Sequence, residues 1–320
     1  MDRVGPLPEN LDDAKQRYEK LGKRARDVIV SWLPTDWTFR ERRILDFGCG
    51  AGRTLRQFTE SAESAACFVG CDIHYDSVRW VAHHLSPPFG VFRNGELPPL
   101  PFPDQIFDVI YAQSVFSHLS ETWAPWLLEL RRILRPDGLL IATFLGPARW
   151  AKRVVGSPAP PIEELGRHVD HHGDNFYESH GPHVYLAEWW IREHWGRAFE
   201  IIAVVDDQLL APLVRVPREG GQGVVVMRPN GRSRTSSELE SPNTDNPQDI
   251  SALVADRPVL LAEIQHLRWD RRRIQAEADA AAAEVVAARA ELSALRKSRS
   301  WRWTALPRWI RSKVRVAAPS

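Results

Sequence analysis

The sequence predicts an α/β fold, a mostly parallel sheet with helices on both faces, followed by a polar linker and a long helical coiled coil. Three observations carry this. Short apolar runs alternate with amphipathic stretches between about residues 40 and 230, and a glycine-rich stretch directly follows the first apolar run. Beyond Pro258, apolar residues recur at alternating spacings of four and three.

The expected strands are Arg43–Phe47, Phe68–Asp72, Val91–Phe92, Phe107–Ala112, Leu139–Phe144, Phe199–Val205 and Gly223–Met227. Each is short and apolar, as befits strands covered on both faces. Helices are expected between them, for example Arg53–Glu60, Asp76–Leu85 and Trp126–Leu134, where apolar positions follow a helical period. Residues 230–249, NGRSRTSSELESPNTDNPQD, are polar and rich in Ser, Asn, Pro and Asp, and read as a flexible linker that buries too little apolar area to offset its ordering entropy. The seam beyond it runs Leu260, Ile264, Leu267, Arg271, Ile274, Ala278, Ala281, Val285, Ala288, Leu292 and Leu295, with Arg271 the one polar member. A single amphipathic helix packed on the globular part is the alternative to a coiled coil.

Bulk properties narrow the class. The 320 residues carry a net charge of +1, so no global attraction to nucleic acid or anionic lipid is implied. Cys49, Cys67 and Cys71 lie in or beside apolar runs, which suits buried thiols in a reducing compartment. The N-terminal MDRVGPLPEN is charged and broken by proline, unlike a secretory signal, and the apolar run around Gly138–Gly146 is too short to span a bilayer. A cytoplasmic protein is expected.

The stretch ILDFGCGAGR, Ile44–Arg53, is the most informative. A strand ending near Asp46, then Gly48, Gly50 and Gly52, then a helix would gather backbone N–H groups and a helix N-terminus around a ligand. A dinucleotide site favours G-x-G-x-x-G with no acid beside the pyrophosphate. Here the spacing is G-x-G-x-G and a carboxylate sits two residues ahead. Such a carboxylate repels a diphosphate and attracts an ammonium or sulfonium group, which favours S-adenosyl-L-methionine over NAD.

ILDFGCGAGR resembles the first motif of class I S-adenosylmethionine-dependent methyltransferases. NGELPPLPFPDQIFDVIYAQSVFSHLSE and RRILRPDGLLIATF extend the resemblance through the third, fourth and fifth strands, with Pro136, Asp137 and Gly138 expected to form a turn before the fifth. The resemblance implies a Rossmann-like seven-stranded sheet whose last strand is antiparallel. It also implies that Asp46, Gly48, Gly50 and Gly52 cradle the methionine end of the cofactor, and that Asp72, in CFVGCDIH, takes the ribose hydroxyls. Asn94, opening a loop to Phe102 that would cover the adenine, and Gln113, after the fourth strand, complete the expected cofactor set. The domain organisation expected is a helical segment over 1–39, a methyltransferase domain over 40–229, a linker over 230–257, the coiled coil over 258–297 and a basic tail over 298–320.

Methyl transfer is an in-line displacement, so acceptor residues follow no universal motif. The run YAQSVFSHL lacks the Asn/Asp-Pro-Pro-Tyr/Phe pattern of enzymes that methylate base amines, and the catalytic part has no basic stripe, which disfavours nucleic acid. His118, just after the fourth strand, is the preferred general base, a helix-start packing residue being the blander reading. The segment HVDHHGDNFYESHGPHVYLAEWWIREHW mixes His168, His171, His172, His180 and His183 with acids and aromatics that would suit a sugar. His180 is the second candidate base. No spacing there matches a metal motif, so no metal site is assigned.

The chain ends KSRSWRWTALPRWIRSKVRVAAPS, with eight basic residues and no acid between Arg296 and Arg315. Trp301, Trp303 and Trp309 are threaded through it, a pattern suited to an anionic membrane surface. A coiled coil followed by S-x-S-W-R-x-T resembles the C-terminal segment of bacterial enzymes of surface polysaccharide assembly, although Leu306-Pro307 stands where Pro-Leu is usual. The combined expectation is a methyltransferase that O-methylates a sugar of a surface polysaccharide or its lipid-linked precursor. The coiled coil would associate with itself or with a glycosyltransferase, and the tail would approach the inner face of the membrane. The alternatives are a methyltransferase of another small molecule, and a non-catalytic cofactor-binding adaptor.

Overall fold

Alternation along the first strand organises two cores. In the computed structural model, which describes residues 11–156, 159–170, 182–209 and 221–297, β1 spans Arg43–Phe47. Leu45 and Phe47 enter one apolar cluster and Ile44 the other, so successive side chains serve opposite faces of the sheet. The remaining strands are β2 (Cys67–Asp72), β3 (Gly90–Arg93), β4 (Phe107–Ala112), β5 (Leu134–Phe144), β6 (Arg167–Asp170), β7 (His183–Leu186), β8 (Phe199–Leu209) and β9 (Gln222–Pro229). Seven of them form one sheet in the order β3-β2-β1-β4-β5-β9-β8, and β6 and β7 form a separate antiparallel pair. β1 to β5 pair in parallel, while β9 runs antiparallel between β5 and β8.

The helices are α1 (Leu11–Ser31), α2 (Thr59–Ser64), α3 (Tyr75–His84), α4 (Trp123–Ile133), α5 (Pro147–Arg153), α6 (Ile162–Leu165), α7 (Glu188–His194), α8 (Ser236–Glu240) and α9 (Pro247–Lys297). Ile29 of α1 and Val81 of α3 cover one face of the sheet, with Leu55 and Phe58 from a 3-10 turn after β1. Trp126, Leu127 and Leu130 of α4, Ile191 of α7 and Leu239 of α8 cover the other.

Three sequence expectations change. The helix expected at Arg53–Glu60 is a 3-10 turn, Leu55–Phe58, running into α2. Pro136, Asp137 and Gly138 do not form a turn before the fifth strand; they lie within β5, where the pairing jumps from Phe107↔Leu134 to Val109↔Leu139. The strand absorbs the extra residues as an irregularity at the start of the β4–β5 pairing.

The third correction is the flexible linker. Residues 230–256 are ordered against the globular unit. Thr235 and Glu238 close a reciprocal capping box at the start of α8, and Leu239 is fully buried. The polar residues that suggested disorder are used as hydrogen-bonding groups. Asn243 and Asn246 donate to Glu193, and the carboxylate of Asp249 accepts from the Asn243 N–H and lies 3.2 Å from His194 Nε2. Composition alone hides this, because polar side chains that find buried partners lose little by leaving water.

The chain divides into two compact units, Met1–Asp256 and Arg257–Ser320. The N-terminal helix and the supposed linker therefore belong with the sheet, and α9 begins in the first unit, at Pro247, eleven residues before the expected start of the coiled coil. Among the described residues no helix is long and apolar enough to cross a membrane.

Candidate active site

The C-terminal ends of β1, β2 and β4 converge on the glycine turn. Gly48, Gly50 and Gly52 all adopt positive φ, at 82°, 52° and 74°, which L side chains rarely adopt. The three positions differ in what surrounds them. A Cβ on Gly48 would meet Val115 Cγ2 at 2.3 Å and one on Gly52 would meet Leu85 Cδ1 at 2.7 Å, whereas one on Gly50 would point into open space. Two glycines are thus demanded by packing, and the middle one presents its backbone to whatever occupies that space.

The turn is held from behind and from the side. The N–H groups of Gly48 and Cys49 donate to the Cys71 carbonyl at 2.8 and 2.9 Å. Asp72 accepts from the Gly50 N–H at 2.8 Å and from the His74 N–H at 2.8 Å. Asp72 therefore pins the glycine turn, a role the sequence reading did not assign. Its two carboxylate oxygens retain further lone pairs for hydroxyl donors.

Asp46 is 2% exposed and one of its carboxylate oxygens has no hydrogen-bond partner. Burial pushes its pKa up to about 8; the neighbouring Tyr111 hydroxyl and Arg53 pull it down, and the negative charge of Asp72 adds to the rise. Tyr111 faces Asp46 across the β1–β4 pairing, with its hydroxyl close but without well-formed hydrogen-bond geometry. Burial likewise raises the Tyr111 pKa well above its ordinary value, reinforced by Asp46. A carboxyl held neutral in a dry site, with an unsatisfied oxygen, is a strong latent receptor for a cation.

Gln113 accepts from the Thr54 hydroxyl at 2.5 Å, and its amide nitrogen is buried without a partner. Asn94 is tied by its side-chain amide to the Gly95 carbonyl, and its Oδ1 is also orphaned. The loop that follows is fixed by α4. Trp126 Nε1 donates to the Glu96 carbonyl, Glu129 accepts from the Leu100 N–H, and Arg132 binds the Phe102 carbonyl and Asp104.

α1 is the part of the site that the sequence reading missed. The Tyr18 hydroxyl donates to the Ala51 carbonyl at 3.1 Å, inside the glycine turn, and Glu19 pairs with Arg56 and Gln57 just beyond it. A Cβ on Gly22 would strike the Arg53 carbonyl oxygen at 2.3 Å, so the helix backbone lies directly against the turn. No motif announces this, because it depends on how an amphipathic helix docks.

The sequence reading expects the acceptor beside the loop after β4. Ser114, at a φ of 59°, donates its N–H to Thr143 Oγ1, and Gln222 of β9 bridges Thr143 and the Ser114 hydroxyl. The Ser117 carbonyl accepts from the Val184 N–H of β7, and Arg167 of β6 donates to the Ser120 carbonyl. His118 Nδ1 lies 3.0 Å from the Pro182 carbonyl oxygen. A carbonyl only accepts, so the proton sits on Nδ1 and Nε2 carries the basic lone pair. The His118 ring is 5.3 Å from that of His183, while His168 packs against Trp150, which in turn packs against Tyr185.

The structure thus gathers Asp46, Gly48, Gly50, Gly52 and Asp72 at one turn, places Asn94 and Gln113 on the strand ends that flank it, and attaches His118 to the β6–β7 pair. His171, His172 and His180 lie outside the described residues, as do Trp301, Trp303 and Trp309. Among the described residues no group of three or more His, Cys, Asp or Glu side chains is arranged as metal ligands would be.

Comparison with known proteins finds similar sequences and folds. Residues 45–142 match the family described as "Methyltransferase domain". A phthiotriol/phenolphthiotriol dimycocerosates methyltransferase of Mycobacterium ulcerans is 31% identical over 127 residues, covering 38% of this chain and 46% of that protein. A fatty-acid O-methyltransferase of Mycolicibacterium smegmatis is 29% identical over 128 residues, with the same coverages of 38% and 46%. YcgJ of Bacillus subtilis, an uncharacterised methyltransferase, is 29% identical over 189 residues, covering 58% of this chain and 66% of that protein. The chain spans about half the length of the first two relatives. An S-adenosylmethionine-dependent methyltransferase from Mesorhizobium loti overlays with a TM-score of 0.48 at 18% identity, covering 63% of this chain and 96% of that one.

Residues 45–142 match a methyltransferase domain, and the strand order and glycine turn around them are those of a Rossmann-like methyltransferase fold, whose cofactor is S-adenosylmethionine. The residues present fit that cofactor. Asp46 offers an unsatisfied carboxylate oxygen to a cation, and Gly50 opens its backbone onto free space.

Proposed function

We propose that this chain transfers a methyl group from S-adenosylmethionine to a hydroxyl of a glycan-bearing acceptor, a sugar of a surface polysaccharide or its lipid-linked precursor. The observation that carries the cofactor half is the buried Asp46 carboxyl at the glycine turn, with one oxygen left without a partner. Asp46 would hold the cationic methionine end, the backbone of Gly48–Gly52 would line it, and Asp72 would accept from the ribose hydroxyls. Asn94 and Gln113 would use their orphaned amide groups nearby. The cofactor supplies a methyl group on a positively charged sulfur, ready for in-line displacement.

His118 would take the acceptor's proton on Nε2. The Pro182 carbonyl fixes its tautomer, and the attachment of the Ser114–Ser120 loop to β7 fixes its position. The tail's resemblance to polysaccharide enzymes supports the glycan reading; Trp150 and Tyr185, beside His168, are buried in a small apolar cluster and present no open ring. The names of two relatives support a second reading, a lipid or fatty-acid acceptor.

Mass spectrometry of surface glycans and lipids from a strain lacking this protein separates the two. A sugar lighter by one methylene identifies the glycan acceptor; a change confined to a lipid acyl chain removes that reading. His118→Ala should lower kcat about 10²–10⁴-fold while leaving cofactor binding unchanged. Unimpaired turnover in that variant would dismiss His118 as the base.

A further inference from the structure

α9 carries an apolar stripe flanked by an acidic one, and the apolar stripe lies exposed. From Arg271 to Lys297 every residue of the helix is exposed. Its seam, written as heptad positions a and d, places Arg271, Ala278, Val285 and Leu292 at a, and Ile274, Ala281, Ala288 and Leu295 at d. Ile274 is 58% exposed, Val285 51%, Leu292 51% and Leu295 60%. Isolated helices do not keep such a stripe in water without a partner.

The flanks decide which partner. The g positions are all acidic: Asp270, Glu277, Glu284 and Glu291. The e positions are Arg268, Gln275, Ala282, Arg289 and Arg296, and none is acidic. In a parallel pair each g residue faces the e residue five positions later on the other helix. That sets Glu284 against Arg289 and Glu291 against Arg296, and leaves Asp270 and Glu277 opposite neutral Gln275 and Ala282. In an antiparallel pair g faces g and e faces e, which would oppose carboxylate to carboxylate and guanidinium to guanidinium. The i,i+4 pair Arg273–Glu277, at 2.9 Å, lies within one helix and does not compete with either interchain pair.

The seam sets the number of strands. A long arginine at a, Arg271, can lead its stem along the seam and keep its charge in water at a two-stranded interface, but would be buried inside three or four strands. The central alanines, Ala278, Ala281 and Ala288, allow two backbones to approach closely.

We propose that α9 pairs with α9 of a second copy of this chain as a parallel, in-register, two-stranded coiled coil. The pairing is independent of the reaction the domain performs. Light scattering of the full chain over a dilution series should give twice 36.4 kDa at high concentration. An Ala288→Cys variant in a glutathione buffer should cross-link to itself, since parallel register brings the two copies of residue 288 together. The native Cys49 and Cys71 are buried and Cys67 half-buried, and the parent chain is the control. Glu284→Arg with Glu291→Arg should raise the dimer dissociation constant about tenfold or more, and adding Arg289→Glu with Arg296→Glu should restore it. A chain monomeric at all concentrations, a mass of three or more chains, a dimer that does not cross-link through position 288, or a charge reversal without effect would each overturn the proposal.

Discussion

The glycine turn and α9 are both stretches of regularly spaced residues, yet they relate to the fold in opposite ways. The turn is over-determined within one chain. Val115, Leu85 and Tyr18 fix it from three parts of the chain, and the Cys71 carbonyl and Asp72 fix it from β2. α9 from Arg271 onward is under-determined: its spacing is regular, but its apolar stripe remains exposed. Between them lies the base of α9, where Asp249 and Ala252 are buried in the first unit. Regular spacing therefore specifies a structure only when the groups it aligns meet partners, and the partners are tertiary for the turn and, in the pairing proposed above, intermolecular for the helix.

Titration of Asp46 gives the largest expected effect. Its folded pKa of about 8 lies above its unfolded value, so the stability it contributes is fully present below about pH 4 and is lost as pH rises toward 8. Urea denaturation of Asp46→Asn should show that loss removed. The variant's advantage over the parent should grow by roughly 4–6 kcal/mol across that window and then level off, while its affinity for the cofactor falls. A parallel pH dependence in both proteins would show that the turn is not strained by this carboxyl. For the same reason, Asp46 in the parent should release a proton when the donor's cation arrives below pH 8, seen by calorimetry in buffers of different ionisation enthalpy.

Gly48→Ala comes next. It should cost about 2–4 kcal/mol, because the new Cβ is forced against Val115 at a positive φ. Gly50→Ala should cost only about 1 kcal/mol, the conformational part alone, and should act mainly on cofactor binding. Equal losses of stability at both positions would remove the distinction between the packed and the open face of the turn.

His194→Ala tests the base of α9. Its Nδ1 is 2.7 Å from the Leu239 carbonyl and its Nε2 3.2 Å from Asp249, and burial lowers its pKa against the pull of those two acceptors. Truncation removes one donor from each acceptor, the Leu239 carbonyl keeping Arg197 and Asp249 keeping the Asn243 N–H, and with the buried ring lost it should cost about 1–3 kcal/mol in thermal or chemical unfolding of the domain. The smallest effect is expected for Leu292→Ala, at most about 0.5 kcal/mol on domain unfolding, because that side chain is exposed in the single chain. A large loss there would show that α9 supports the fold of the domain.

Legibility followed the range of the interactions. β1 and β4 sit where their apolar runs placed them, and the other sheet strands extend by a few residues at one or both ends. The acid and glycines of the turn could be read because their chemistry is local: backbone angles and one charge. The packed segment after Pro229 was misread because its Asn and Asp residues look solvated until Glu193, His194 and Arg197 are brought beside them. Tyr18 and Tyr111 carried no signal at all, since a tyrosine in a helix or strand is ordinary until it lands against the turn.

By itself, the sequence determined the alternation of strands and helices, the left-handed glycine turn with its acid, and the heptad stripe of α9, because each follows from bond geometry and side-chain period within a few residues. The tertiary structure alone decided that Asp46 would be dry and neutral, that Asp72 would brace the turn, and that a polar segment would become a buried clasp. Those outcomes depend on which distant groups displace water from a side chain, and burial is a property of the assembled neighbours.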